Sequence, residues 1–218
     1  MSEKGTLIVF EGISGSGKSR MIQELDELLT IRGYRVVKFK WNESRLIENV
    51  KKRLRSSSIK RPRLYSLIEW IGFCWTYRFQ IMPSLKKDRI VICDRYAYTG
   101  IIRDLSNDVR TGLGIKILRR VRKPTAIIYI SEGSEVCYSR IMERGKSLYY
   151  TNRRLDKMQH SCQQDKEYLK LCEDAYKECF VNICKEDALN ILEVSSSTNI
   201  ETLYEKVEIN IPCNEGKR

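Results

Sequence analysis

TLIVFEGISGSGKSRMIQELDELL, residues 6–29, sets an apolar run, a glycine-rich loop and a helix-like pattern in immediate succession. Within it Gly12, Gly17, Lys18 and Ser19 satisfy G-x-x-x-x-G-K-[ST], with a strand expected before the loop and a helix after it. Such a loop turns its backbone N–H groups inward around a phosphate, and glycine supplies the torsions this requires. Ser14, Gly15 and Ser16 complete the cradle, and the helix opening near Ser19 and Arg20 adds its positive dipole end. Lys18 is expected to reach the β- and γ-phosphates of ATP, and the Ser19 hydroxyl to ligate Mg²⁺. A glycine-rich turn that fits by chance is the competing reading, and the flanking pattern counts against it.

Outward from this stretch, four more short apolar runs read as strands: YRVVKF (34–39), RIVICD (89–94), TAIIYIS (125–131) and LNILEVS (189–195). Runs with apolar residues on both alternate faces suit parallel strands covered on both sides. Helical spacing fills the intervals. Met21, Leu25, Leu28 and Leu29 mark the first helix, with Gly33 as its stop. Leu64, Leu67, Ile68, Ile71 and Trp75 mark a long one, Tyr168 to Ile183 another, and Ile200 to Val207 the last. Alternating strands and helices imply a three-layer α/β/α arrangement of the P-loop type, with a five-stranded parallel sheet and right-handed crossovers. No repeat or linker interrupts it, so residues 1–218 read as one domain.

Composition narrows the setting. No apolar run approaches the ~20 residues of a membrane span, and the first residues lack an apolar leader, so a cytoplasmic location is expected. The eight cysteines include no C-x-x-C pair and His160 is the sole histidine, which favours structural thiols over a metal site. The net charge of +12 suits an anionic partner without naming one. Its densest segment, KKRLRSSSIKRPR (51–63), reads as a solvated basic face. It lacks the interleaved aromatics of a single-strand nucleic-acid binder.

The loop implies a nucleoside triphosphate but not where the phosphoryl group goes. A switch GTPase calls for N-K-x-D, which is absent. A motor ATPase calls for a strand ending in Asp-Glu, whereas here Asp94 is followed by Arg95. At the carboxyl end of a strand both lie at the ligand edge of the sheet. Asp94 could orient Mg²⁺ or take the acceptor's proton, and Arg95 could hold an anionic acceptor bidentately.

The order of IVFEGISGSGKS, MPSLKKDRIVICDRYAYTG, KPTAIIYI and ILEVSSSTNIETLYEKV resembles the thymidylate kinase family over roughly residues 6–207. The resemblance implies ATP and Mg²⁺, transfer to a nucleoside 5′-monophosphate such as dTMP, and commonly a homodimer. It assigns Asp94 and Arg95 to the acceptor phosphate, continued by Tyr96. It places a lid over approximately 144–158, where Arg144, Arg153 and Arg154, with Arg140 just before, could cover the phosphates. Tyr150 stands as the lid tyrosine on the acceptor side, and Ser196 lies in the loop that flanks adenine.

Departures fall on the acceptor half. The family often has an acidic residue at Ser14, placed for the acceptor sugar, and another at Thr151. Its proline-bearing element after the second strand is replaced by KFKWNES (38–44). Its thymine-stacking aromatic and following arginine have only Trp70, Phe73, Trp75 and Arg78 as candidates, in no clean register. These departures leave the acceptor open between thymidylate or a related pyrimidine monophosphate, used poorly, and some other compound. A nucleoside or other small-molecule kinase on the same fold is the alternative enzyme. A non-catalytic or nucleic-acid-associated P-loop protein is the alternative of another class.

Overall fold

The computed structural model describes residues 5–41, 44–55, 61–158, 161–186 and 189–208. His160, Cys213 and positions 56–60 of the basic segment lie outside them, as do the side chains of Ile183 and Cys184.

Five strands form one parallel sheet: β1 (Thr6–Glu11), β2 (Val36–Lys40), β3 (Ile90–Asp94), β4 (Ala126–Ile130) and β5 (Ile191–Val194), in the order β2-β3-β1-β4-β5. The central β1 pairs with β3 from Thr6↔Ile90 to Phe10↔Asp94 and with β4 from Ile8↔Ala126 to Glu11↔Tyr129. That register brings the carboxyl ends of β1 and β3 level, so the glycine-rich loop and the Asp94–Arg95 pair leave the sheet side by side.

Both faces are covered. Ile8 and Phe10 pack with Ile92, Ile128 and Val194 against α1 (Lys18–Ile31) and α9 (Ile200–Glu208). Their neighbours Leu7 and Val9 pack with Val91, Cys93, Ile127 and Tyr129 on the opposite face. There they meet α3 (Pro62–Thr76), α5 (Ala97–Ser106) and α8 (Ser161–Glu186). The period of two along each strand thus feeds two separate cores. The edge strands β2 and β5 are only partly buried, which is why their runs are less uniformly apolar. The remaining helices are α2 (Arg45–Arg55), α4 (Met82–Lys86), α6 (Gly112–Leu118) and α7 (Ser134–Glu143), with a π turn at Tyr77–Ile81.

The long helix α3 differs from its sequence reading in orientation. Of Leu64, Leu67, Ile68, Ile71 and Trp75, the stripe expected to mark its packed side, all but the half-buried Ile68 are exposed, and Trp70, Gly72 and Phe73 face inward instead. Two apolar stripes compete on this helix, and the aromatic one wins. Phe73 stacks on Trp41 at 5.1 Å and meets Tyr96 edge-on at 5.2 Å. The Trp70 indole lies where a Cβ on Gly100 or Gly114 would stand, so these two glycines give it room.

Candidate active site

The loop between β1 and α1 is built on glycines with positive φ. Gly15 (φ 86°) and Gly17 (φ 97°) occupy left-handed backbone, and a Cβ on Gly15 would run into the Cys137 carbonyl. Lys18, the first residue of α1, turns back over the loop. Its Nζ donates to the carbonyls of Gly12 (2.8 Å) and Ile13 (2.7 Å) and to Ser16 Oγ (3.0 Å). Burial foremost, and Arg95 next, pushes its ammonium well below the ordinary lysine range, while Asp94 and Glu11 pull the other way. A buried cation so placed gains from an incoming polyphosphate.

Arg95 follows β3 in left-handed backbone (φ 79°), strain that an L side chain accepts only when its surroundings fix it. Glu11, the last residue of β1, supplies the fixing. Its Oε1 accepts from the Tyr96 N–H at 2.8 Å, and its Oε2 accepts from Thr99 Oγ1 (2.5 Å) and the Tyr176 hydroxyl (2.7 Å). Burial is the main influence on Glu11 and raises its pKa despite these bonds and the Arg95 charge. The Arg95 guanidinium in turn donates to Thr99 Oγ1 and the Tyr176 hydroxyl, both at 3.3 Å, and reaches Ser14 Oγ at 3.5 Å. Arg95 thereby joins the glycine-rich loop to what lies beyond it. The Tyr96 side chain goes elsewhere: it is buried in the core and donates to the Arg122 carbonyl at 3.0 Å.

On the other flank, Arg20 donates to the Ser196 carbonyl, and Arg140 donates to Ser196 Oγ (3.1 Å) and the Gly15 carbonyl (3.5 Å). Glu132 pairs with Arg140 at 3.6 Å and accepts from the Ser196 N–H at 2.7 Å. Burial would raise Glu132, but the Ser196 bonds and the Arg140 charge outweigh it and hold the carboxyl low. The loop 195–199 is thus tied to the start of α1. Arg144, the residue after α7, is exposed. Ser19 and Asp94 line one opening of about 320 Å³ with Lys38 and Lys40. A hydroxyl and a carboxylate are hard oxygen donors of the kind Mg²⁺ takes alongside water and substrate phosphates. Among the described residues no group of three or more His, Cys, Asp or Glu could hold a metal unaided.

Beyond Arg95 a cavity of about 280 Å³ opens between α3, α5, α8 and the segment 147–151. Tyr65, Tyr149, Tyr150 and Tyr168 wall it. Tyr150 stacks on Tyr168 at 4.6 Å, and Tyr149 meets Tyr65 at 5.0 Å. Trp70 also lines it, with its Nε1 donating to Asp104 Oδ2 at 2.9 Å. Arg78 does not reach this cavity; it is exposed beside Phe79 on the π turn. Within the lid stretch, residues 144–147 are exposed, whereas Thr151 and Asn152 are buried against the end of α5. Thr151 gives both its N–H (2.6 Å) and its hydroxyl (3.1 Å) to Asn107 Oδ1, and Asn152 Nδ2 donates to the Ser106 carbonyl at 2.7 Å. An acidic side chain at 151 would oppose the Asn107 oxygen, which gives Thr151 a physical reason.

Sequence reasoning missed the polar end of this cavity. Lys51 Nζ pairs with Glu69 Oε1 at 2.9 Å, while Glu69 Oε2 accepts from Arg103 Nη1 and from Trp41 Nε1 (3.2 Å). Burial alone would raise Glu69; Arg103 and Lys51 outweigh it and hold the carboxyl at about 2. Lys51 is therefore buried, unlike its exposed neighbours Lys52 and Arg53 in the segment read as a solvated face. Glu69 in an otherwise apolar helix, and Glu11 closing a buried strand, were the signals available. A carboxylate in such a setting needs partners.

The comparisons with known proteins agree with this arrangement. A family profile described as Thymidylate kinase matches residues 10–206. Probable thymidylate kinase 2 of Saccharolobus solfataricus is 32% identical over 145 residues, covering 66% of this chain and 68% of its own. The thymidylate kinase of Leptospira borgpetersenii is 28% identical over 163 residues, 72% and 78% of the two chains. That of Mycoplasmoides gallisepticum is 23% identical over 217 residues, 94% and 93% of the two.

Proposed function

The chain belongs to the thymidylate kinase family, and on that premise we propose that it transfers the γ-phosphoryl group of ATP to the 5′-phosphate of thymidylate or a related pyrimidine nucleotide. The observation that carries this reading is the position of Arg95, in reach of Ser14 on the phosphate loop and lining the aromatic-walled cavity. ATP would lie along the loop with Lys18 at its β- and γ-phosphates. The acceptor phosphate would meet Arg95, and its sugar and base would enter the cavity. Arg20 and Arg140, anchored on the 195–199 loop, stand at the donor side, and Arg144 is free to swing in as charge develops on the transferring group. Ser19 and Asp94 would hold Mg²⁺, which when bound neutralises phosphate charge. Asp94 would also orient the attacking oxygen. Residues 1–218 form one kinase unit in this reading.

The exposed stripe Leu64, Leu67, Ile71, Trp75 and Phe79 supports a homodimer, since a contiguous apolar row of this size favours a partner. Sedimentation equilibrium tests it, a monomer contradicting the assignment. No disulfide joins the described cysteines, which suits the reducing cytoplasm in which we place the protein; fractionation of the source cells checks that. For the activity itself, coupled ADP release with dTMP, dUMP, dCMP, dGMP, dAMP and thymidine is the test. Turnover with dTMP or dUMP is expected. Turnover with thymidine alone would indicate a nucleoside kinase, and none with any acceptor would refute catalysis.

A further inference from the structure

The stretch that resembles a lid falls into two pieces. Gly145 stands in left-handed backbone (φ 59°) with open space around it, and residues 144–147 are exposed. From Tyr150 to Asn152 the chain is buried and bonded to helices that wall the cavity. Asn107, the residue that caps the end of α5, is where these bonds meet. Its Oδ1 accepts both the Thr151 N–H (2.6 Å) and the Thr151 hydroxyl (3.1 Å), while its Nδ2 donates to the Arg103 carbonyl one turn back (2.7 Å). The same side chain approaches Tyr168. Asn107 thus reaches both Thr151, the neighbour of Tyr150, and Tyr168, the ring on which Tyr150 stacks at 4.6 Å.

The neighbouring bonds run the same way. Asn152 Nδ2 donates to the Ser106 carbonyl at 2.7 Å, and the Tyr150 hydroxyl donates to Gln164 Oε1 on α8 at 3.2 Å. None of these partners belongs to the glycine-rich loop or the 195–199 loop, the groups that would meet ATP. The tyrosine wall is therefore held from α5 and α8 and needs nothing from the donor side. Held by the exposed half of the lid instead, it would form only as phosphates drew Arg144 inward, and acceptor affinity would depend on ATP.

We propose that Asn107 is a positioning residue that latches Thr151 to α5, sets the Tyr150–Tyr168 wall before ATP arrives, and so makes acceptor binding independent of the donor. The movement left to the lid is then confined to residues 144–147. This rests on the cavity being the acceptor site, as proposed above. With the latch broken and the wall formed about a tenth of the time, the apparent Kd rises about tenfold, and a donor that favours the formed wall restores it. The signature is a coupling between the two sites that the wild type lacks and that breaking the latch creates.

Calorimetric titration of the full chain with dTMP and dUMP, with and without a non-hydrolysable ATP analogue and Mg²⁺, reads that coupling. Wild-type affinities should agree within about threefold in the two conditions. Asn107→Leu removes the Thr151 acceptor and should weaken monophosphate binding about tenfold without the analogue, with most of the loss recovered in its presence. By reciprocity the monophosphate should improve analogue binding to this variant by the same factor. A single cooperative melting transition shows the variant folded. Thr151→Asp sets a carboxylate against the Asn107 oxygen and should behave like Asn107→Leu, whereas Thr151→Ser keeps the N–H and a hydroxyl and should behave like wild type. That pair decides the matter if the leucine variant misfolds. Monophosphate affinity lost equally with and without the analogue would mark a merely structural role and overturn the proposal. So would folded variants that bind as the wild type does, or a wild type that the analogue shifts as strongly as it shifts the variants. Binding of neither monophosphate to the wild type refutes the acceptor site and the latch together; binding without the induced coupling refutes the latch alone.

Discussion

Glu11 is the residue whose replacement separates stability from acceptor handling. Its carboxylate accepts three hydrogen bonds, from the Tyr96 N–H, Thr99 Oγ1 and the Tyr176 hydroxyl. In Glu11→Leu the two hydroxyls, 2.9 Å apart, can still bond each other. The Tyr96 N–H has no such substitute and is orphaned, at about 1–3 kcal/mol. Arg95 also loses a buried counter-charge, so the total is about 2–4 kcal/mol. For a chain of this size that lowers Tm by roughly 5–15 °C. Glu11→Gln behaves differently. Its Oε1 can keep the Tyr96 N–H, and its Nε2 can donate to the hydroxyl oxygens. Burial has raised the Glu11 pKa, so ionisation is a cost that sets in as pH climbs above the ordinary carboxylate range. The amide escapes that cost, and its stability should stay within about 1 kcal/mol of wild type at neutral pH. Yet both variants remove the charge that steadies Arg95, so acceptor KM should rise about tenfold in each with ATP KM little moved. Differential scanning calorimetry and steady-state ADP release read the two effects separately. If Glu11→Gln melts as early as Glu11→Leu, or keeps the wild-type acceptor KM, the reasoning fails.

Asp94→Asn should lower kcat most, whereas Arg95→Ala should chiefly raise acceptor KM; acceptor kinetics unchanged by Arg95→Ala would place the acceptor elsewhere. The depressed Glu69 carboxyl contributes stability in full above its ordinary 4.5 and loses it as pH falls towards about 2, a difference of about 3 kcal/mol. Acid unfolding followed by circular dichroism should show this step in the wild type and not in Glu69→Gln, and superimposable curves would contradict it. Hydrogen exchange should divide the lid: residues 144–147 exchanging fast until ATP and acceptor analogues bind, Thr151 slow throughout because its buried N–H is bonded to Asn107 Oδ1. Uniform exchange across 144–152 in both states would reduce the lid to an ordinary loop.

The donor half was legible because its signal is local. The strand, loop and first turn of α1 lie within sixteen residues, from Thr6 to Met21, and β1 covers the apolar run that opens them. The α8 face of Tyr168, Cys172, Ala175, Tyr176 and Cys179 is buried as its spacing predicts. The acceptor half was not legible because its groups meet only through tertiary contacts. Lys51, Glu69 and Arg103 come from three helices, and nothing in a basic run marks which lysine turns inward. On α3 the spacing rule found a genuine stripe, but the cavity between Gly100 and Gly114 that accepts Trp70 decided the helix's rotation. Ser14 reads as a missing acid in sequence and in the fold meets the Arg95 guanidinium.

The central claim is phosphoryl transfer to a pyrimidine 5′-monophosphate, and following the label from γ-³²P-ATP tests it most directly. With Mg²⁺ and dTMP the label should appear at the β-position of the nucleoside diphosphate. Lys18→Ala should slow its appearance by ~10²-fold or more if, as proposed, Lys18 supplies charge to the transferring group. Label recovered only as inorganic phosphate, or equal transfer rates in the two proteins, would contradict the account.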